Sequence, residues 1–373
     1  MSASISLSTT ELVRALELRD LTDPARGPHA MQQLLDALLA TLPASVPITI
    51  HRASPIVSIA DNYDRLGYPA DGAAREARYT RYVCESAVLR TQTSAMLPPL
   101  LRTLATAPPD DAVLACPGLV YRRDVIDRLH VGEPHQLDLW RISRTPLDEP
   151  DLDALIAAVV AAALPNTQWR TQPASHPYTT QGRQIDALVG NDRIEIGECG
   201  LASRALLAEC GLPDHHGLAM GLGLDRLLML RKGIDDIRLL RAADPRIEKQ
   251  MLDLAPYAPV SVMPPVRRDL SIVLDAALDV EELGDRVRRA LGAEAELVES
   301  VDLLSTTPYA DLPPAARDRL GIAPHQLNAL VRVTLRALDR TLTHDECNEL
   351  RDTIYDALHR GTVHHYARKT GPT

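Results

Sequence analysis

Apolar positions in this chain change their period from one stretch to the next. Behind the break at Gly27-Pro28, the residues Met31, Leu34, Leu35, Leu38, Leu39 and Leu42 recur at helical spacing, which predicts a helix from His29 to Leu42. Such a stripe packs on its own domain or on a second subunit, and the pattern allows both. Ile48 to Arg52 follows as a short strand. Residues 88–100, Val-Leu-Arg-Thr-Gln-Thr-Ser-Ala-Met-Leu-Pro-Pro-Leu, end a strand and start a helix, with Thr93 or Ser94 placed to cap it. A strand leading through Gly118 to Arg122, a loop rich in charge and histidine, and a returning strand, Gln136 to Ile142, come next. Thr145 to Leu164 reads as a helix. Residues 185–200 form two strands about the turn Gly190-Asn191-Asp192, and Leu201 to Cys210 a short helix. Gly217 opens a strand punctuated by glycine that runs directly into a helix ending near Lys232.

Five prolines, at 245, 256, 259, 264 and 265, then interrupt every period, so residues 245–263 read as a linker after a first domain of residues 1–244. Beyond it the pattern restarts over residues 264–367. Strand Asp269–Leu274, helix Val280–Leu291, strand Leu297–Leu304, a polar loop, strand Asn328–Ala337, helix Thr343–His359 and a closing strand near Val363 give the β-α-β-β-α-β order of a ferredoxin-like module.

With 373 residues, 45% of them hydrophobic, the chain is long enough for two or three packed domains. A net charge of −10 argues against a protein that coats nucleic acid generally, while leaving room for a local basic face. Cys84, Cys116, Cys199, Cys210 and Cys347 contain no Cys-x-x-Cys pair, which fits free thiols in a reducing compartment. The first residues carry neither a secretory signal nor a good transit peptide, and no apolar run approaches the roughly 20 residues that span a bilayer. A soluble, cytoplasmic protein that does not enter membranes is therefore expected. The chain has no phenylalanine, so any aromatic wall must be built from Tyr, Trp or His.

Two distant segments carry the chemistry. Gly118-Leu-Val-Tyr-Arg-Arg-Asp-Val-Ile-Asp127, followed by His135-Gln136, and Gly217-Leu-Ala-Met-Gly-Leu-Gly-Leu-Asp-Arg226 each place an arginine where a polyanion would be gripped. Arg226 falls in the first turn of its helix, where unpaired N–H groups and the dipole favour anions. These segments resemble motifs 2 and 3 of the class II aminoacyl-tRNA synthetases, in the wording of the phenylalanyl-tRNA synthetases. Asp61-Asn-Tyr-Asp64, Leu89-Arg-Thr-Gln-Thr-Ser94 and Gly233-Ile-Asp-Asp-Ile-Arg-Leu-Leu240 are similar to further segments of that family. Pro264-Pro-Val-Arg-Arg-Asp-Leu-Ser271 and Asp339-Arg-Thr-Leu-Thr343 resemble the anticodon-binding domain of the single-chain, organellar enzymes, so the likeness extends from about residue 21 to residue 366.

The resemblance implies an α+β fold, an antiparallel sheet flanked by helices plus the ferredoxin-like domain. It implies an ATP-dependent ligase with Mg²⁺, an amino acid, most simply phenylalanine, and tRNA as partners, working as a homodimer through the N-terminal helix and first strand. An amino-acid carboxylate displaces pyrophosphate from ATP without a protein nucleophile, so fixed positive charge and positioning supply the catalysis. The matching positions assign Arg122 to the α-phosphate and Arg226 to the γ-phosphate, with His130 and Asp124 of the loop also at ATP. They assign Glu195 to Mg²⁺, an oxygen-preferring ion, with Glu198 at a spacing that shares its strand. Gln92, Ser94, Gln136 and Asp138 fall at amino-acid-binding positions, as do His176, Tyr178 and Ala219. Arg267, Arg268 and Arg340 are the basic residues to watch for tRNA.

Departures from the family pattern are as informative. Gln92 stands where a histidine is usual, Leu97 replaces a glutamine, and Pro134 replaces the aromatic residue before His-Gln. His176-Pro177-Tyr178 stands in place of Phe-Pro-Phe, and Leu218 and Met220 replace aromatic residues around Ala219. Polar groups here either meet a substrate hydroxyl or reflect repacking in a chain without phenylalanine. Two other readings stay open: a paralogue activating a different amino acid for a specialised pathway, and a silent synthetase-like RNA-binding protein.

Overall fold

The computed structural model describes residues 6–76, 79–260, 264–275 and 279–364. These residues form an α+β fold that divides into two compact units. The first comprises residues 1–122, 133–234 and 249–257, the second residues 123–132, 235–248 and 258–373. Where prolines suggest one linker over 245–263, the chain instead changes unit several times. Pro245–Glu248 and Lys249–Leu252 are short helical turns. The buried Lys232 Nζ explains why the segment after them joins the first unit, since it donates to the carbonyls of Asp253 and Ala255 at 2.7 and 2.6 Å.

The first unit is built on a seven-stranded sheet of β1 (Ile48–Ile50), β2 (Asp111–Leu119), β3 (His135–Ser143), β4 (Gln168–Pro173), β5 (Thr179–Val189), β6 (Asp192–Ala202) and β7 (His216–Gly223). Their spatial order is β1-β2-β3-β7-β6-β5-β4, antiparallel except for β1, which runs parallel to β2. The β5–β6 hairpin is longer than the expected 185–200 because both strands continue past the apolar stretch. Gly190, at φ +59°, makes its turn. Leu201 and Ala202 extend β6, so the short helix after it starts at Arg204. A smaller three-stranded sheet pairs Ala87–Leu89 with Ile56–Ser58 and Tyr82–Cys84.

Helices α1 (Ala30–Leu39), α2 (Glu149–Ala163) and α3 (Leu224–Lys232) pack together. The α1 stripe lies within its own unit: Met31, Leu34 and Leu38 are fully buried and Leu35 nearly so. Each contributes about 1.5–3 kcal/mol relative to exposure. Asp148 and Asp151 form a capping box that starts α2 four residues after the expected Thr145. Thr93 and Ser94, expected as helix caps, turn their hydroxyls to a buried carboxylate instead, and Thr93–Met96 is a 3-10 turn leading into helix Leu97–Leu104.

The second unit carries β8 (Val266–Asp275), α4 (Val280–Leu291), β9 (Val298–Pro308), β10 (Gln326–Leu335) and α5 (His344–Leu358). The three strands lie antiparallel in the order β8-β10-β9, as a ferredoxin-like module requires of its first three strands. Leu270, Ile272, Ala329, Val331 and Val333 form one core with Leu283, Val287, Leu350 and Ile354. The loop between β9 and β10 holds a helix, Pro314–Leu320, because Leu312, Leu320 and Ile322 cover Val273 on the other face. Gly361 to His364 form no strand, and the rest of the expected closing strand lies outside the described residues. Arg238 ties this unit together: it pairs with Asp236 at 2.6 Å and donates to the carbonyls of Glu296 and Arg336.

Candidate active site

Strand alternation sets the floor of the site. Gln136, Asp138, Trp140 and Ile142 point to one face of β3, and their partners across the ladder on β7 are Gly223, Gly221, Ala219 and Gly217. The space above β7 is open at Gly221 and Gly223, where a Cβ added at Gly221 would lie 4.0 Å from the Asp138 carboxylate, and is already filled at Gly217 by Ala202 and Ile142. On the neighbouring strand β2, Gly118 admits the Arg90 guanidinium so closely that a side chain would collide with it. Arg90 in turn donates to the Leu119 carbonyl at 2.7 Å, holding the strand just ahead of Arg122.

Asp138 is 3% exposed and accepts from three side chains, the Ser94 hydroxyl being shared between its two oxygens. Thr93 Oγ1 donates at 2.7 Å, Ser94 Oγ at 2.9 and 3.0 Å, and Trp140 Nε1 at 3.1 Å. Burial raises its carboxyl above the ordinary value, and the three donors and the Arg122 charge offset only part of that rise. Gln136 Oε1 accepts from the Thr93 amide at 3.3 Å. Gln92 accepts from the Tyr68 hydroxyl at 2.9 Å and donates to the Asn62 carbonyl at 3.1 Å. Ala219 is buried at the base, against Trp140 and Tyr178.

Aromatic rings form the wall. The Tyr178 centroid lies 6.0 Å from Trp140, 5.9 Å from His176 and 6.3 Å from Tyr68. Burial lifts the Tyr178 hydroxyl well above its usual range, and Asp138 and Tyr68 push the same way. His176 Nε2 meets Glu198 Oε2 at 2.8 Å, and its Nδ1 lies 3.3 Å from Thr179 Oγ1.

Arg122 and Arg226 act on one carboxylate. Crowding raises the Glu195 carboxyl, Arg226 and Arg122 both lower it, and Glu198 raises it; the exposed side chain lets solvent moderate the whole. Arg226 Nη1 donates to the Glu195 carbonyl at 3.2 Å, and Arg122 Nε to the Thr91 carbonyl at 2.8 Å. The turn carrying Arg226 is anchored by its neighbour: the buried Asp225 accepts from the His135 backbone amide and lies 3.1 Å from His135 Nδ1. His135 Nε2 accepts from the Leu21 amide at 3.0 Å, so the neutral imidazole carries its proton on Nδ1 and gives it to Asp225.

Arg122, Arg226, Glu195, Gln92, Ser94, Gln136, Asp138, His176, Tyr178 and Ala219 thus belong to one unit. His130 and Asp124 belong to the other, because the loop Arg123–Gly132 clusters with it. There His130 Nδ1 lies 2.8 Å from the Asp127 carboxylate, and the Asp124 carboxylate accepts from the Val125 amide at 2.9 Å. Arg340 is held by Glu346 at 2.7 and 3.1 Å, Arg268 lies 3.4 Å from His344 Nδ1, and Arg267 is exposed. Sequence reasoning missed the roles of Thr93, Trp140 and Tyr68. Trp140 had a signal, since it alternates with Gln136 and Asp138. Among the described residues no three His, Cys, Asp or Glu side chains form a metal cage, and no helix is long and apolar enough to cross a membrane. Glu195, with Glu198 on the same strand, still supplies the oxygen donors that suit Mg²⁺, an ion that keeps its waters and binds through one or two carboxylates plus substrate phosphates.

A sheet of this order with an arginine ahead of its hairpin loop and another opening the helix after β7 is a class II synthetase core. Residues 24–251 match the family described as tRNA synthetases class II core domain (F), and the chain belongs to that family. It is 27% identical over 322 residues to the phenylalanine–tRNA ligase, chloroplastic/mitochondrial, of Arabidopsis thaliana, which covers 82% of this chain and 70% of that one. The mitochondrial phenylalanine–tRNA ligase of Dictyostelium discoideum is 25% identical over 368 residues, covering 82% and 76%. The phenylalanine–tRNA ligase alpha subunit of Prochlorococcus marinus is 34% identical over 191 residues, covering 51% of this chain and 56% of its own length.

Proposed function

We propose that this protein activates an aromatic amino acid, phenylalanine by the names of its relatives, as the aminoacyl-adenylate and transfers it to tRNA. The reading is supported by Asp138, a buried carboxylate held by the Thr93 and Ser94 hydroxyls and the Trp140 indole, in the same unit as Arg122 and as Arg226, which donates to the Glu195 carbonyl at 3.2 Å. ATP is gripped by the two arginines, Glu195 would hold a Mg²⁺ ion that would help neutralise phosphate charge, and the substrate ammonium meets Asp138, Ser94 and Gln136. The fixed guanidinium groups stabilise charge that builds on phosphate oxygens as the amino-acid carboxylate displaces pyrophosphate. Arg267 and Arg268 of the second unit meet tRNA phosphates. Arg340 contributes less, its charge being engaged by Glu346. Four buried and one exposed free cysteine support a reducing, cytoplasmic setting.

Purified protein with ATP and labelled pyrophosphate tests this reading across the proteinogenic amino acids. Exchange stimulated by an aromatic amino acid, followed by acylation of its tRNA, is the expected result. Activity with none of them removes the proposal.

The same reading includes a homodimer. The α1 stripe is consumed within its own unit, so the second copy docks on β1, whose Ile48 and Ile50 are 38% and 47% exposed, and on Thr9–Glu17, whose Val13 and Leu16 are also exposed. Light scattering should give twice the chain mass of 40.8 kDa, falling to the single mass in Ile48→Lys/Ile50→Lys. A wild-type protein that runs as a monomer at micromolar concentration sinks the dimer.

A further inference from the structure

Glu198 stands on β6 opposite Gly221 of β7 and Gln184 of β5, on the face that carries the site. Its side chain is 42% exposed, whereas the His176 ring that holds it at 2.8 Å is 10% exposed. The His176 ring lies 5.9 Å from Tyr178, and Gly221 separates Glu198 from Asp138 across the ladder, so the carboxylate stands at the edge of the aromatic wall. Around it, Tyr68 donates to Gln92 and His176 Nδ1 faces Thr179. The charged acceptor that this wall offers an incoming side chain is a carboxylate oxygen, oriented by an imidazole.

A bare phenyl ring entering this slot strips water from that carboxylate and returns no hydrogen bond. A ring hydroxyl returns a charge-assisted one. We propose that Glu198, seated by His176, recognises a hydroxyl on the aromatic ring of the substrate, so that ring-hydroxylated phenylalanines are activated in preference to phenylalanine itself. The proposal rests on the site being one that activates amino acids. His176 acts as a positioning residue, fixing which way the carboxylate faces, and Glu198 as the specificity residue that touches substrate.

The test is pyrophosphate exchange by the full chain with phenylalanine, para-tyrosine and meta-tyrosine as separate substrates. Wild-type protein should show a kcat/KM for at least one hydroxylated isomer about ten- to a hundredfold above that for phenylalanine, the range expected of one hydrogen bond to a charged group. Glu198→Ala should bring that ratio to about one or reverse it. Glu198→Gln, which keeps an acceptor without the charge, should fall between, and His176→Phe should lower the ratio without matching Glu198→Ala. A wild-type enzyme that favours phenylalanine tenfold overturns the proposal, as does a ratio unmoved by Glu198→Ala. Because the wild-type panel decides on its own, a variant that fails to fold does not rescue the idea. Exchange with no amino acid at all is a different outcome, overturning the activation reading on which this one stands.

Discussion

Replacing Arg226 by alanine should lower the rate of pyrophosphate exchange about 10²- to 10³-fold, the loss typical of removing one preorganised charge from a developing anion. The fold should survive. Arg226 Nη1 donates to the Glu195 backbone carbonyl at 3.2 Å, whereas the anchoring of its helix is done by Asp225 through His135. The loss should appear in kcat as well as in the KM for ATP, because charge on the phosphates grows toward the transition state. Arg226→Lys should recover only part, since an ammonium lacks the planar fork. Near-normal exchange in Arg226→Ala, measured on protein with an unchanged thermal midpoint, would remove the assignment of this residue to the phosphates.

The second large effect belongs to Asp138 and has a direction in pH. Burial lifts its carboxyl above the value in the unfolded chain. A group raised in this way contributes stability that is fully present below its unfolded pKa and is lost as pH rises through the folded pKa. Binding runs the other way, because an ammonium needs the ionised carboxylate. Mild acidification should therefore stabilise the free protein relative to Asp138→Asn while it raises the KM for the amino acid. Asp138→Asn should raise that KM roughly 10- to 100-fold at neutral pH, the worth of a hydrogen bond between charged partners, and should flatten its pH dependence. Titrating KM and the thermal midpoint for both proteins checks the two signs together. An unchanged KM in the variant would move the ammonium elsewhere.

Much of this site could be read from residue types because its elements announce themselves. A strand punctuated by glycine that becomes a helix at Leu224 fixes where Arg226 lies, and the alternation of Gln136 and Asp138 fixes which side they share. What escaped was tertiary. Thr93 and Ser94 look like caps in any local window, and only the arrival of β3 shows that their hydroxyls serve Asp138 instead. The apolar stripe of α1 is the same whether a second subunit or α2 and α3 cover it, so its partner was not legible. Nor was the attachment of Arg123–Gly132 to the second unit, which depends on Ile126 joining that unit's core and on Arg288 donating to the carbonyls of Asp124 and Val125.

The near absence of side chains along one face of β7 sets a rule for how this chamber can change. Bulk cannot be added from below without filling the cleft over Asp138, so new substrate preferences have to be written into the surrounding walls. In this chain those walls are polar: an imidazole from the loop between β4 and β5 and a carboxylate of β6 meet at 2.8 Å where a pair of hydrocarbon rings would act by shape alone.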